Sequence, residues 1–79
     1  MDTTVLSISD NEGVYGEIHI RHEEGNVYNI CHTYVSERYR GKGVADLLLK
    51  MALEFIEYKG GTVKADCSYA ARKLSRMGK

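Results

Sequence analysis

The sequence of 79 residues contains no proline and no tryptophan, and it contains only two cysteines, Cys31 and Cys67. Without proline there is no proline-rich linker or recognition segment. Two cysteines are too few for the disulfide framework of a small secreted domain, and the first residues lack the charged and then apolar pattern of a signal peptide. The sequence therefore predicts a cytoplasmic chain, and its length suffices for one domain only, residues 1–79.

An excess of charge and a long hydrophobic run are also missing. Eleven lysines and arginines balance eleven aspartates and glutamates, which argues against nucleic acid and against a charged membrane surface as partners. The longest mostly apolar stretch, residues 44–56, is interrupted by three charged residues and is too short to span a bilayer. The three histidines and two cysteines have no zinc-ligand spacing, so we predict no metal site.

The first 35 residues have the alternating pattern of strands separated by turns. Strands are predicted at residues 3–9, 14–21 and 27–35, and the turns between them contain Gly13 and Gly25. In the second strand Val14, Gly16, Ile18 and Ile20 are expected to share one face. Because the turns are short, the three strands are predicted to form an antiparallel meander.

After residue 39 the apolar period changes from 2 to about 3.6. A long helix is predicted from Val44 to Gly60-Gly61, which end it. Residues 62–67 follow as a short strand, and Ser68 is the expected N-cap of a last helix over residues 69–77. The predicted class is therefore α+β, with a meander followed by a long helix, a further strand and a short C-terminal helix.

The most informative motif lies between the third strand and the long helix and reads Arg40-Gly41-Lys42-Gly43-Val44-Ala45. A helix N-terminus presents unpaired backbone N–H groups and a partial positive charge, and glycines let an anion approach that backbone. The segment therefore predicts a phosphate-binding loop. The alternative is that Gly41 and Gly43 only form a tight turn between strand and helix.

This motif resembles the Arg/Gln-x-x-Gly-x-Gly/Ala signature of the GCN5-related N-acetyltransferases. Together with His32-Thr33-Tyr34-Val35 before it and Cys67-Ser68-Tyr69-Ala70 after the helix, it resembles the small, single-domain YjdJ-type branch of that superfamily. The resemblance implies a minimal fold of that type that binds acetyl-CoA or CoA. It places pantetheine beside the backbone of Tyr34 and Val35, and the pyrophosphate and nucleotide at Arg40, Gly41, Lys42, Gly43, Val44 and Ala45.

Two side chains are predicted to take part in chemistry. Cys67 stands between a strand and a helix start, where the helix dipole favours a thiolate, and the small branch carries a cysteine there. It is a candidate for positioning the thioester, for acid/base chemistry or for nucleophilic attack, or alternatively an inert core residue. His32 is a candidate base for the acceptor amine, or alternatively a histidine held by the backbone. Tyr69 is a candidate proton donor or pantetheine contact, or alternatively a packing residue, while His19 and His22 are expected at the surface.

Two functions follow from this interpretation. The first is an acetyl-CoA-dependent N-acetyltransferase acting on an amine of a small molecule or a protein, and the alternative is a non-catalytic acyl-CoA-binding or sensing module. The short turn between the first two strands stands where standard family members place two helices, so the acceptor side is expected to be open. The predicted assembly is a monomer or a weak homodimer.

Overall fold

The computed structural model describes residues 2–78 and contains one sheet and two α-helices. The elements follow in the predicted order, which confirms the α+β class and the succession of meander, helix, strand and helix. They are β1 (Thr3–Asp10), β2 (Gly13–His22), β3 (Val27–Val35), a 3₁₀ turn (Glu37–Tyr39), α1 (Val44–Tyr58), β4 (Thr62–Ala65) and α2 (Ser68–Arg76).

The four strands lie side by side in sequence order. β1, β2 and β3 are antiparallel, and β4 runs parallel to β3 after the crossover through α1. Both helices pack on one face of this sheet, where Ile18, Ile20 and Ile30 meet the buried side of α1. Ile18 and Ile20 share the predicted inward face of β2, whereas Val14 near the hairpin is half exposed. None of the helices within residues 2–78 is long and apolar enough to cross a membrane.

Two predicted boundaries are wrong at the end of β4. The strand ends at Ala65 instead of residue 67, because the backbone N–H groups of Asp66 and Cys67 both donate to the carbonyl oxygen of Ile30, each at 3.1 Å. The N-cap of α2 is Cys67 instead of Ser68, because the Cys67 carbonyl already accepts the N–H of Ala71 at 2.9 Å. The hydrogen bond from Cys67 to Ile30 on β3 therefore outweighs the preference of serine for the N-cap position.

Gly16 determines how closely α1 approaches the sheet. A Cβ atom at this position would lie 2.7 Å from the carbonyl oxygen of Tyr34 and 3.0 Å from Cδ1 of Leu48. Such distances are shorter than side chains tolerate, so only glycine lets the start of α1 settle here. This contact places the N-terminus of α1 beside the end of β3.

Candidate functional site

A cleft opens where β3 and β4 separate. Their parallel pairing ends at Ile30 opposite Ala65, and the β2–β3 register shifts at the same level, which leaves Cys31 as an extra residue of β3. Such bulges often occur beside active sites, where they redirect the strand. Beyond this point no strand of residues 2–78 lies beside the edge of β3 that faces away from β2.

The backbone of Thr33 and Val35 faces this cleft. The N–H of Ser36 donates to the carbonyl of Tyr15 on β2, so these two residues form a hydrogen-bonded pair across the strands. Because such pairs alternate along an antiparallel ladder, the backbone groups of Thr33 and Val35 point away from β2. Both backbone groups of Thr33 and the N–H of Val35 are therefore oriented to bind an extended molecule that lies in the cleft, while the Val35 carbonyl accepts from Arg40 Nε at 3.3 Å.

An anion cradle lies at the outer end of the cleft, at the N-terminus of α1. Gly41 and Gly43 have φ angles of +79° and +82°, a region that favours glycine, and Gly43 is the N-cap. The first backward hydrogen bond of the helix runs from the N–H of Leu47 to the Gly43 carbonyl at 3.1 Å. The amides of Val44 and Ala45 precede it and have no intrahelical acceptor. These donors can hold a phosphate group.

A cavity of about 240 Å³ marks this cradle. Six of the ten predicted site residues line it, together with four others. The predicted six are Val35, Arg40, Gly41, Gly43, Val44 and Ala45, and the others are Tyr39, Asp46, Tyr69 and Lys73.

The predicted residues Tyr34 and Lys42 lie outside the cavity lining. Strand alternation turns the Tyr34 side chain to the sheet face without helices, and Lys42 is exposed in the loop. Arg40 supports the turn, because its Nε donates to the carbonyl of Val35 at 3.3 Å. The cradle is therefore built mainly from backbone groups.

Asp46 is a cavity residue that the sequence analysis did not single out. It accepts a hydrogen bond from the Tyr69 hydroxyl, and Lys73 Nζ lies 3.1 Å from its Oδ1. Tyr69 and Lys73 lower the pKa of Asp46, whereas burial and this carboxylate raise the pKa of Tyr69. The available signal was the spacing, since Tyr69 and Lys73 lie four residues apart on one side of α2.

Cys67 lies deeper in the cleft as the N-cap of α2. Its Sγ is 3.6 Å from the Thr33 hydroxyl oxygen, so the two sides of the cleft touch here. Burial raises the pKa of the thiol, but the Ala70 amide, the Thr33 hydroxyl and the Tyr69 amide together outweigh it and lower the pKa below its usual value. No formal capping hydrogen bond is made, so the amides act on the sulfur mainly through their dipoles.

His32 does not meet Cys67 across the cleft. Its side chain is exposed on the sheet face that carries no helix, whereas Thr33 points to the helix side and touches Cys67. The His32 ring packs edge to face against the ring of His19, with 5.1 Å between centroids. The two predicted catalytic residues therefore flank the free edge of β3 from opposite sides.

Comparison of the sequence with models of known protein families gives a result consistent with this geometry. The model of the family described as GCN5-related N-acetyl-transferase matches residues 5–79. The chain belongs to this family. No functionally curated protein matches the sequence.

Solved structures of other acetyltransferases have the same fold. A GCN5-like N-acetyltransferase from Staphylococcus aureus is 32% identical, with 92% of this chain and 72% of that one covered and a TM-score of 0.75. Nourseothricin acetyltransferase is 20% identical, with coverage of 96% and 49% and a TM-score of 0.74. The aminoglycoside N-acetyltransferase AAC(6')-Iy, solved with CoA, is 17% identical, with coverage of 95% and 66% and a TM-score of 0.70. This chain thus spans about half the length of nourseothricin acetyltransferase.

Proposed function

We propose that this chain is an N-acetyltransferase of the small YjdJ-type branch, which transfers an acetyl group from acetyl-CoA to an amine in the cytoplasm. The observation that carries the proposal is the cradle at the N-terminus of α1, which opens beside the unpaired edge of β3 in a member of the GCN5-related family. Cradle and edge are continuous through Val35, which lines the cavity and ends the strand.

The cradle residues fit a diphosphate. The free amides at the start of α1 supply donors, and the helix dipole favours negative charge there. Asp46 is the one unfavourable group, and the Lys73 ammonium 3.1 Å from its carboxylate offsets its charge. The cradle would thus hold the pyrophosphate of CoA through Gly43, Val44 and Ala45, as the motif predicted.

The cleft residues divide the remaining tasks. When bound, acetyl-CoA supplies an activated acetyl thioester. The backbone of Thr33 and Val35 would align the pantetheine arm, and an N–H of this pair would donate to the acyl oxygen. His32 takes one proton from the acceptor ammonium and passes it to solvent, and Cys67 passes the second amine proton to the sulfur that leaves as a thiol. An ammonium ion and a thioester thus become an amide, a thiol and one released proton.

Cofactor binding is the first test of this function. Acetyl-CoA and CoA are titrated into the ¹⁵N-labelled protein, with adenosine diphosphate and buffer as controls. We expect amide shifts concentrated at residues 41–48 and at Val35, and a rise of about 2.7 kcal/mol in unfolding free energy at a ligand concentration one hundred times Kd. Unchanged spectra at millimolar acetyl-CoA would overturn the proposal.

Turnover is the second test. A panel of small-molecule amines, peptide lysines and peptide N-termini is offered with acetyl-CoA, and release of the CoA thiol is followed. We expect Cys67→Ala and His32→Ala to lose turnover by about a hundredfold while they still bind CoA. Binding without turnover on any amine would favour the second candidate, an acyl-CoA-binding module, which the uncovered sheet face beside the cleft also permits.

A further inference from the structure

The sheet face without helices carries a short chain of titratable groups. His19 on β2 and His32 on β3 stand directly opposite each other in the register, and their rings meet edge to face at 89°. Glu17 precedes His19 by two residues and so shares its face, and its Oε1 lies 3.0 Å from Nε2 of His19. The three side chains therefore form a contiguous row across two strands.

The two residues of β2 in this row are partly buried, and His32 is exposed. The side chains of Glu17 and His19 retain 35% and 29% of their exposure, whereas His32 is classed as exposed. The carboxylate fixes which nitrogen of His19 carries hydrogen, because Nε2 must donate to it. His19 is thus held from one side by Glu17 and presents its ring to His32 on the other.

Among residues 2–78, the only charged partner of Glu17 is His19. Arg21, the next residue of β2 on the same face, is engaged by Glu23 at 3.0 Å and by Asp66 at 3.6 Å. Across β1, the residue opposite His19 is the uncharged Val5. The side chains next to His19 on its own strand and on both neighbouring strands include Glu17, Arg21, Val5 and His32, and the Cys31 thiol lies 3.6 Å from the His19 carbonyl oxygen.

The row ends at the cleft. His32 lies between the extra residue Cys31 and Thr33, whose backbone faces the cleft. The cradle opens on the helix side, where Tyr69 and Lys73 line it. An acceptor amine that meets the acetyl group at the edge of β3 thus has the uncovered sheet face free for its approach, and His32 is the base it meets there.

We propose that Glu17 and His19 are positioning residues that orient the His32 imidazole, and that the acceptor amine approaches across the uncovered sheet face. This proposal rests on the proposed transferase function. Glu17 holds His19, His19 holds the His32 ring by edge-to-face packing, and His32 accepts one proton from the ammonium. The proton leaves to solvent from His32, so no further reactant is needed.

Kinetics of paired variants test the proposal. We expect Glu17→Gln and His19→Gln to lower kcat about tenfold and to leave KM for acetyl-CoA within about twofold of wild type. The expected loss is smaller than the roughly 10²–10⁴-fold rate increase from general acid–base catalysis, because these residues act only through His32. Glu17→Asp should recover part of the loss. The control is His22→Gln, because His22 stacks on Tyr28 and contacts the Gly25 carbonyl, away from this row, and it should match wild type.

Imidazole NMR of the CoA-free protein gives a readout besides activity. The His32 ring resonances should shift in Glu17→Gln and stay in place in His22→Gln. If they stay in place in both variants, or if active wild type and Glu17→Gln have equal kcat, the positioning role is overturned while the transferase function stands. If wild type binds acetyl-CoA and turns over no amine, both proposals fall together.

Discussion

Replacement of Gly43 by alanine separates the chemistry of the cradle from the stability of the fold. Gly43 is the N-cap of α1 with φ +82°, and a Cβ added there meets nothing within 4 Å. The new methyl group would therefore point into open space at the mouth of the cradle. Gly60 is a matched control, because its φ is +69°, its Cβ would also be unobstructed, and it lies past the opposite end of α1.

The two variants should be destabilised alike and should bind differently. The left-handed conformation costs a non-glycine residue about 1–2 kcal/mol, so both should lose a similar amount of unfolding free energy. For a domain of this size each kcal/mol lowers Tm by about 4–8 °C. A hydrogen bond from an amide to a charged phosphate contributes about 1.5–3 kcal/mol, so loss of one by obstruction should weaken CoA binding about ten- to a hundredfold in Gly43→Ala alone.

Calorimetric titration of CoA at a temperature well below both Tm values measures the difference. Gly60→Ala should bind within about twofold of wild type, since it alters no cradle atom. If both variants bind like wild type, the backbone at the start of α1 does not hold the cofactor. If both variants bind CoA equally weakly, the loss of affinity comes from the lower stability of the fold, and the assignment of the cradle as the CoA site is also refuted.

Three other perturbations test separate features of the structure. Gly16→Ala should lower the unfolding free energy in urea by about 1–3 kcal/mol, because the added methyl group overpacks against the Tyr34 carbonyl of β3 and against Leu48 of α1; an unchanged midpoint would contradict these contacts. In a Cys31→Ser background, the rate of alkylation of Cys67 by iodoacetamide should rise with pH around a midpoint below that of free cysteine, because its thiol pKa is lowered; a midpoint at or above that of free cysteine would contradict the lowering. The Asn29 amide, together with two nearby cations, lowers the pKa of Glu23 from 4.5 to about 2, so the stability it contributes is present above pH 4.5 and is lost as the pH falls towards 2. Glu23→Gln should flatten the loss of stability in that window, and an equally steep loss in this variant would exclude the role.

The regular elements were predictable because each of them buries one face. Burial of Ile18 and Ile20 gives β2 its apolar period of 2, and burial of one side of α1 gives that helix its period of 3.6. Both periods can therefore be read directly from the order of the residues. The end of β4 was not predictable in this way. It is set by the Ile30 carbonyl, which accepts two N–H groups from a segment more than thirty residues away in the chain.

The candidate site likewise has one part that was predictable from local sequence and one part that was not. The backbone cradle was predicted from the position of Gly41 and Gly43 between a strand and a helix, because that geometry is local. The bulge at Cys31 carries no mark in the sequence, since an extra residue in a strand looks like any other until its partner strand is known. It reverses the alternation of β3, and through that reversal it decides that Thr33 and Val35 present their backbone to the cleft.

The zero net charge of the chain means that it does not attract anions over long distances, but it does not weaken binding of an anion in the cradle. Sequence charge counts formal charges, whereas the donors at the start of α1 are peptide dipoles that carry none. Three side chains with formal charge line the cavity. Asp46 and Lys73 lie 3.1 Å apart and offset each other, and the third, Arg40, donates to the Val35 carbonyl in the turn. A neutral chain can therefore hold a diphosphate, because the attraction comes from oriented backbone at short range. The association rate of CoA should accordingly depend less on salt concentration than that of a protein that attracts anions with a basic surface.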